Sequence, residues 1–221
     1  MNLEKELRRG EQFDLISFDI FDTLIVRDVV SPTDIFYMTG LDYFKDKEKA
    51  SEFKMRRVKA EADARKRSAN GEVNLKDIYR ELFVIYGITA GILKERELRL
   101  EIEHCFPREK WKSLFEAYIN KGKKVILISD MYLTSSEIKM MLDKCGIKGY
   151  EGLFVSNEYG CDKIGGKLYK ATERAFGMEN CRHMHYGDSI KADFLGARKA
   201  DVVPRLVLKE KWMTKLIRKL L

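Results

Sequence analysis

The chain has 221 residues, of which 45% are hydrophobic and 11% aromatic, with three prolines; this is enough for a packed core and excludes a disordered or low-complexity protein. A net charge of +7 permits acidic partners, yet in stretches such as Glu48–Ala69 acidic and basic residues alternate as on a solvated helix face. No basic motif interleaved with aromatics is present, so nucleic acid is not expected as a partner, and no run approaches the roughly 18 apolar residues of a membrane span.

The opening MNLEKELRRGEQ is charged and has no apolar signal segment, which predicts a cytoplasmic protein. Asp14–Phe18 then reads as a short buried strand that runs into FDIFDTL, Phe18–Leu24. A strand alternates its faces with period two, so Asp19 and Asp22 share a face only if the chain has left the strand between them.

From Asp28 to Pro107 helical periodicity follows without a convincing strand, over Thr33–Phe44, Glu48–Ala69, Leu75–Tyr86 and Ala90–Cys105. Such an insertion predicts a lid over the carboxyl ends of a sheet. Within it Arg57, Glu61 and Arg65, four residues apart, share one helix face and read as an ion ladder, with substrate recognition as the alternative.

Strand patterns return at Lys124–Ser129, Gly152–Ser156, His183–Tyr186 and Val202–Leu208. Helical patterns separate them: one capped by Thr134 with Glu137 and ended at Gly146, the others at Gly166–Gly177 and Ser189–Ala200. The expected fold is α/β, a Rossmann-like core with a parallel sheet and helices on both faces, plus an all-helical cap inserted after the first strand. The division is 1–28 and 107–208 for the core, 29–106 for the cap and 209–221 for a tail. That tail, KEKWMTKLIRKLL, puts Trp212, Met213, Leu216, Ile217 and Leu220 on one side and basic residues on the other. It suits a helix packed on its own sheet, an anionic membrane surface or a docking partner.

Successive strand ends carry polar groups: Asp19 with Asp22 and Thr23, then Ser129 and Asp130, then Lys163, then Gly187-Asp188-Ser189 with Asp193. In a parallel sheet these ends converge, which describes a place to hold a phosphoryl group and a divalent cation. Lys167 rivals Lys163 but falls where the next helix should begin. His183 and His185 share a strand face and read as buried residues with satisfied ring nitrogens, because a magnesium site prefers oxygen. Arg27 either reaches a substrate phosphate or pairs with an acidic neighbour. Cys105, Cys145, Cys161 and Cys181 lack metal-ligand spacing and read as reduced thiols.

This order of motifs, from about Asp14 to Asp201, resembles the haloacid dehalogenase (HAD) superfamily, most of whose members are magnesium-dependent phosphatases. The resemblance implies a C1-type helical cap, Asp19 as the nucleophile that forms an aspartyl-phosphate, and Lys163 neutralising charge beside it. It also implies that Thr23 and Ser129, with Asp130 next to it, bind the phosphoryl oxygens. Mg2+ would be held by Asp19, the Phe21 backbone carbonyl and Asp188, with Asp193 supporting the metal shell. More narrowly, FDIFDTLIVR, SDMYL and GDSIKAD look like hydrolases found alone or joined to glycosyltransferases in surface-polysaccharide systems.

One place departs from the family form. The usual general acid is an aspartate at the third place of the first motif, where this chain has Phe21; Asp22 stands one step later. Three readings stay open: Asp22 swings in as the acid, the leaving group is a phosphoanhydride or acyl phosphate that needs none, or the chemistry is of another HAD type. A phosphonatase would need a particular cap lysine, and the metal-free dehalogenases do not account for Gly187-Asp188. The expected activity is magnesium-dependent hydrolysis of a small phosphorylated metabolite, such as a sugar phosphate. The rival is a catalytically idle binding or scaffold module in a polysaccharide assembly.

Overall fold

A computed structural model of the chain describes residues 2–208. The amphipathic tail expected at 209–221 lies outside the described residues. In chain order the elements are α1 (Leu3–Gly10), β1 (Leu15–Phe18), β2 (Ile25–Arg27), α2 (Asp34–Phe44), α3 (Lys47–Arg67), α4 (Leu75–Tyr86), α5 (Thr89–Glu103), β3 (Cys105–Pro107), α6 (Glu109–Asn120), β4 (Lys124–Ser129), α7 (Ser135–Lys144), β5 (Gly152–Val155), α8 (Ser156–Tyr159), α9 (Lys167–Ala175), β6 (His183–Gly187), a π-helical turn (Ile190–Gly196), α10 (Ala197–Lys199) and β7 (Val203–Leu206). They divide into two compact units.

The first unit comprises residues 2–26, 106–131 and 142–208. Its sheet has the order β5-β4-β1-β6-β7, and every pairing is parallel. The central strands β1 and β4 are near-continuous apolar runs because a parallel sheet is covered on both faces; Leu15, Ile16, Phe18 and Val125 through Ile128 are all completely buried. Register sets Phe18 opposite Leu127 on one side and Tyr186 on the other, and the Phe18 ring stacks on Tyr186 at 4.8 Å. The strands that follow β1 thus lie on both of its sides, and the carboxyl ends of β1, β4 and β6 stand side by side at a topological switch point.

The second unit comprises residues 27–105 and Tyr132–Met141. Asp46 caps α3 through the Lys49 N–H, and Asn74 with Asp77 closes a reciprocal capping box on α4. Its interior holds charge: Arg57 is completely buried, pairs with Glu97 at 2.8 Å, and lies over the rings of Phe36 and Tyr132 at 4.3 and 4.8 Å. Arg57 and Arg65 both also reach Glu61, so the ladder forms, but its first member belongs to the core of the unit rather than to its surface.

Three features depart from the sequence reading. Tyr132–Met141, assigned to the core by its place in the chain, groups with the helices, because Tyr132 packs on Arg57 and donates to Glu101 at 3.3 Å. The region read as strandless ends in β3, which pairs with β2 just before that region begins; three residues per strand are too few to show a period. The helix expected over Ser189–Ala200 is a π-helical turn followed by a short α-helix.

Candidate active site

Asp19 follows directly on β1, and its N–H donates to the Tyr186 carbonyl of β6 at 2.7 Å, which ties it to the strand that leads into Asp188. Ser129 is the last residue of β4 and is buried. The turn after β6 carries Asp188 and folds Asp193 back against the sheet. Gly187 permits that fold, since a Cβ there would overlap the Asp193 carboxyl group, and Gly196 likewise permits close approach to the Lys163 carbonyl. π-turns of this kind concentrate at functional sites.

Lys163 is 2% exposed. Its ammonium donates to Asp19 Oδ1 at 2.7 Å and to Asp193 Oδ1 at 2.5 Å, with the Ile128 carbonyl at 3.4 Å. Lys167, its rival in the sequence, is exposed and opens α9. Oxygens of Asp19, Asp188 and Asp193 lie within 4.8 Å of one another, with Asp188 the least buried of the three.

Two buried carboxyl groups therefore share one ammonium, with a third, partly exposed, beside them. Burial, with Asp193 and Asp188 adding to it, outweighs Lys163 and pushes Asp19 up to about 8. Burial also opposes ionisation of Asp193, but Lys163 and His185 outweigh it and hold that carboxyl below the usual range. Lys163 stays charged because the two carboxylates overcome the cost of its own burial. The excess negative charge and the all-oxygen donor set suit a hard divalent cation such as Mg2+, and fit neither a soft metal nor a structural zinc.

Thr23 is completely buried, and its hydroxyl has no hydrogen-bond partner among the described residues. Buried hydroxyls are rarely left so, and a bound oxyanion is one group that would complete it. Asp22 lies in the turn beyond β1 with φ of 57°, in the left-handed region, so strict strand alternation has ended by this residue. Phe21 precedes it and forms an isolated bridge with Ile25.

Two expected ligands are used otherwise. The Asp130 carboxylate accepts from the Lys163 N–H at 3.0 and 3.1 Å, which fixes the backbone that carries the lysine. The Arg27 guanidinium is buried and grips Glu101 at 2.6 and 3.2 Å, an internal ion pair in place of a phosphate contact. Arg108, which no motif in the sequence marks, donates to the Asp22 carbonyl and to the Leu208 carbonyl and so fixes the turn that follows Asp19. His183 and His185 are buried, and each of their ring nitrogens lies within 3.2 Å of a polar side-chain atom.

No family model and no curated protein matches the chain in sequence. Solved structures do match in fold. A candidate HAD hydrolase from Bacillus subtilis, YfnB, crystallised with magnesium, superposes with a TM-score of 0.60 at 14% identity, covering 94% of this chain and 100% of that one. A 2-haloacid dehalogenase from Pseudomonas syringae pv. Tomato gives 0.61 at 15% identity, covering 86% and 84%. A candidate phosphatase from Clostridium difficile gives 0.52 at 15% identity, covering 87% and 83%. Likeness at these identities speaks for the fold alone.

Proposed function

We propose that this chain, which carries the haloacid dehalogenase fold, is a magnesium-dependent phosphohydrolase acting on a small phosphorylated metabolite through an aspartyl-phosphate on Asp19. The observation that supports this reading is the buried Lys163 ammonium shared by Asp19 and Asp193 beside Asp188. A carboxylate attacks a phosphoryl group only where their mutual repulsion is offset, so catalysis is mostly positioning and charge neutralisation. Asp19, Asp188 and the Phe21 carbonyl would hold Mg2+, which supplies further neutralisation of the phosphoryl oxygens when bound.

In the first step an Asp19 oxygen bonds to phosphorus as the bond to the leaving oxygen breaks. That oxygen keeps the electron pair and takes a proton, assigned in this reading to Asp22. In the second, water attacks phosphorus and gives its proton to Asp22, while the Asp19–phosphorus bond breaks and releases inorganic phosphate. Thr23 and Ser129 would bond the phosphoryl oxygens. A cap role for the helical unit and a sugar phosphate as substrate belong to the same reading.

A second reading, hydrolytic dehalogenation, draws on Phe21 at the usual acid position and on the dehalogenase among the structural neighbours. A panel of phosphorylated metabolites and 2-haloacids, assayed with and without magnesium, separates the two. Phosphate release that needs magnesium and disappears in Asp19→Asn is expected; halide release without magnesium would replace this reading by the second. Turnover of neither class by the wild type would favour an idle binding or scaffold module. Asp22→Asn should slow poor leaving groups more than good ones, and equal rates on both would remove Asp22 as the acid.

A further inference from the structure

Beneath the carboxylate cluster a chain of buried polar side chains crosses the sheet. Glu173 Oε1 lies 3.0 Å from His183 Nδ1, and His183 Nε2 lies 2.7 Å from Ser17 Oγ. The same Oγ lies 2.8 Å from His185 Nδ1, and His185 Nε2 lies 3.2 Å from Asp193 Oδ1, the oxygen that Lys163 also reaches. Ser17, His183, His185 and Glu173 are all at most 3% exposed. None of them occupies a motif position, and the proposed chemistry leaves all four unused.

The links can be counted in protons. Four contacts need four hydrogens, whereas two neutral imidazoles and one hydroxyl supply three. One contact therefore lacks its hydrogen; the two at Ser17, at 2.7 and 2.8 Å, are the shortest of the four and each needs one, so the deficit lies at an end and the chain runs in one of two directions. At the Asp193 end three clustered carboxyl groups, Asp19, Asp188 and Asp193, have the single Lys163 charge, so even with the Ser189 N–H on Asp193 Oδ2 at 2.8 Å a lone pair from His185 would add repulsion to an unbalanced cluster. At the other end Glu173 has an ammonium of its own, Lys170, at 3.2 Å and half-exposed to water. The negative excess at Asp193 thus draws the donor: His185 presents Nε2–H, its Nδ1 accepts from Ser17, and Ser17 accepts from His183.

We propose that Ser17 and His183 form a positioning relay that fixes the tautomer of His185, so that its Nε2–H orients Asp193 and Asp193 holds Lys163 against Asp19. Partners of this kind behind a site set ring tautomers and orientation, and losing one typically costs about 10- to 100-fold in activity or metal affinity. The consequence for turnover rests on the phosphohydrolase reading, but the tautomer itself does not.

The test is therefore made in two parts on the full chain. Long-range nitrogen–proton NMR of the histidine rings, in magnesium-free buffer, should show His185 as the Nε2–H tautomer in the wild type. It should become a mixture in Ser17→Ala, and Glu173→Gln should keep the wild-type pattern, because the amide supplies the hydrogen that contact lacks. A His185 ring carrying Nδ1–H in the wild type, or one that ignores Ser17→Ala, would overturn the proposal whether or not any substrate is found. If the wild type turns over a phosphate ester, Ser17→Ala should lower kcat about tenfold or more with KM unchanged, and Glu173→Gln should retain it. Unchanged kcat in Ser17→Ala would likewise overturn the relay. Should Ser17→Ala fail to fold, His183→Gln read by the same spectra takes its place: a mixture supports the relay, and an unaltered His185 overturns it.

Discussion

Each unit buries a cluster of charge, and the two clusters differ in their balance. In the helical unit Arg57 meets Glu97 and Arg27 meets Glu101, each a guanidinium gripping a carboxylate through two nitrogens, packed among Phe36, Tyr79 and Tyr132. In the sheet unit one ammonium, Lys163, serves Asp19 and Asp193 with Asp188 beside them. A matched buried pair needs nothing further; an unmatched one draws a cation or a proton. Charge imbalance, rather than buried charge as such, separates the candidate site from the ion pairs of the helical unit.

The comparison breaks first at Glu97. Glu97→Gln would leave Arg57 buried with its main partner gone and should cost about 3 kcal/mol in urea unfolding; a loss below about 1 kcal/mol would mean that the helical cluster is not held by matched charge. Magnesium should act in the opposite sense on the other cluster. At about 100 times its dissociation constant a bound cation stabilises by about 2.7 kcal/mol, so the melting temperature should rise in the wild type and stay put in Asp188→Asn. An equal rise in both proteins would place the cation elsewhere.

Acid should weaken the sheet unit next. Burial pulls His185 down from 6.5 to about 4 and also lowers His183. A histidine whose folded value is depressed binds its proton more readily when unfolded, so its contribution is complete above pH 6.5 and falls as pH drops toward 4. For His185 this amounts to about 1 kcal/mol by pH 5.5, and His185→Gln should flatten the profile over that window. The smallest effect belongs to Asp19→Asn. Without a cation the Asp19 carboxyl is already pushed up to about 8 and holds its proton at neutral pH, so the neutral amide replaces a neutral acid. Stability should change by less than about 1 kcal/mol, or rise, while turnover is lost; a loss like that of Glu97→Gln would mark Asp19 as a structural partner of Lys163.

Much of the sheet was legible because each strand is a short apolar run ended by a polar residue. The patterns at Lys124–Ser129 and His183–Tyr186 match β4 and β6 to within a residue. The three-residue strands β2 and β3 carried too little sequence to show a period, and the π-turn escaped because its extra residue per turn leaves no mark on apolar spacing. Ser17 escaped for another reason: inside an apolar strand it reads as a small filler, and only the two histidines of the neighbouring strand show what its hydroxyl does.

By itself, then, the sequence determined which residue types stand at the strand ends, since hydrophobic periodicity and chain order fix where a parallel sheet stops. Tertiary structure alone decided the partners. Lys163 finds Asp19 across 144 residues while Lys167 faces solvent, Asp130 turns to the Lys163 backbone, and Arg27 goes to Glu101. Electrostatic pairing depends on distance and burial, and neither is written in spacing along the chain.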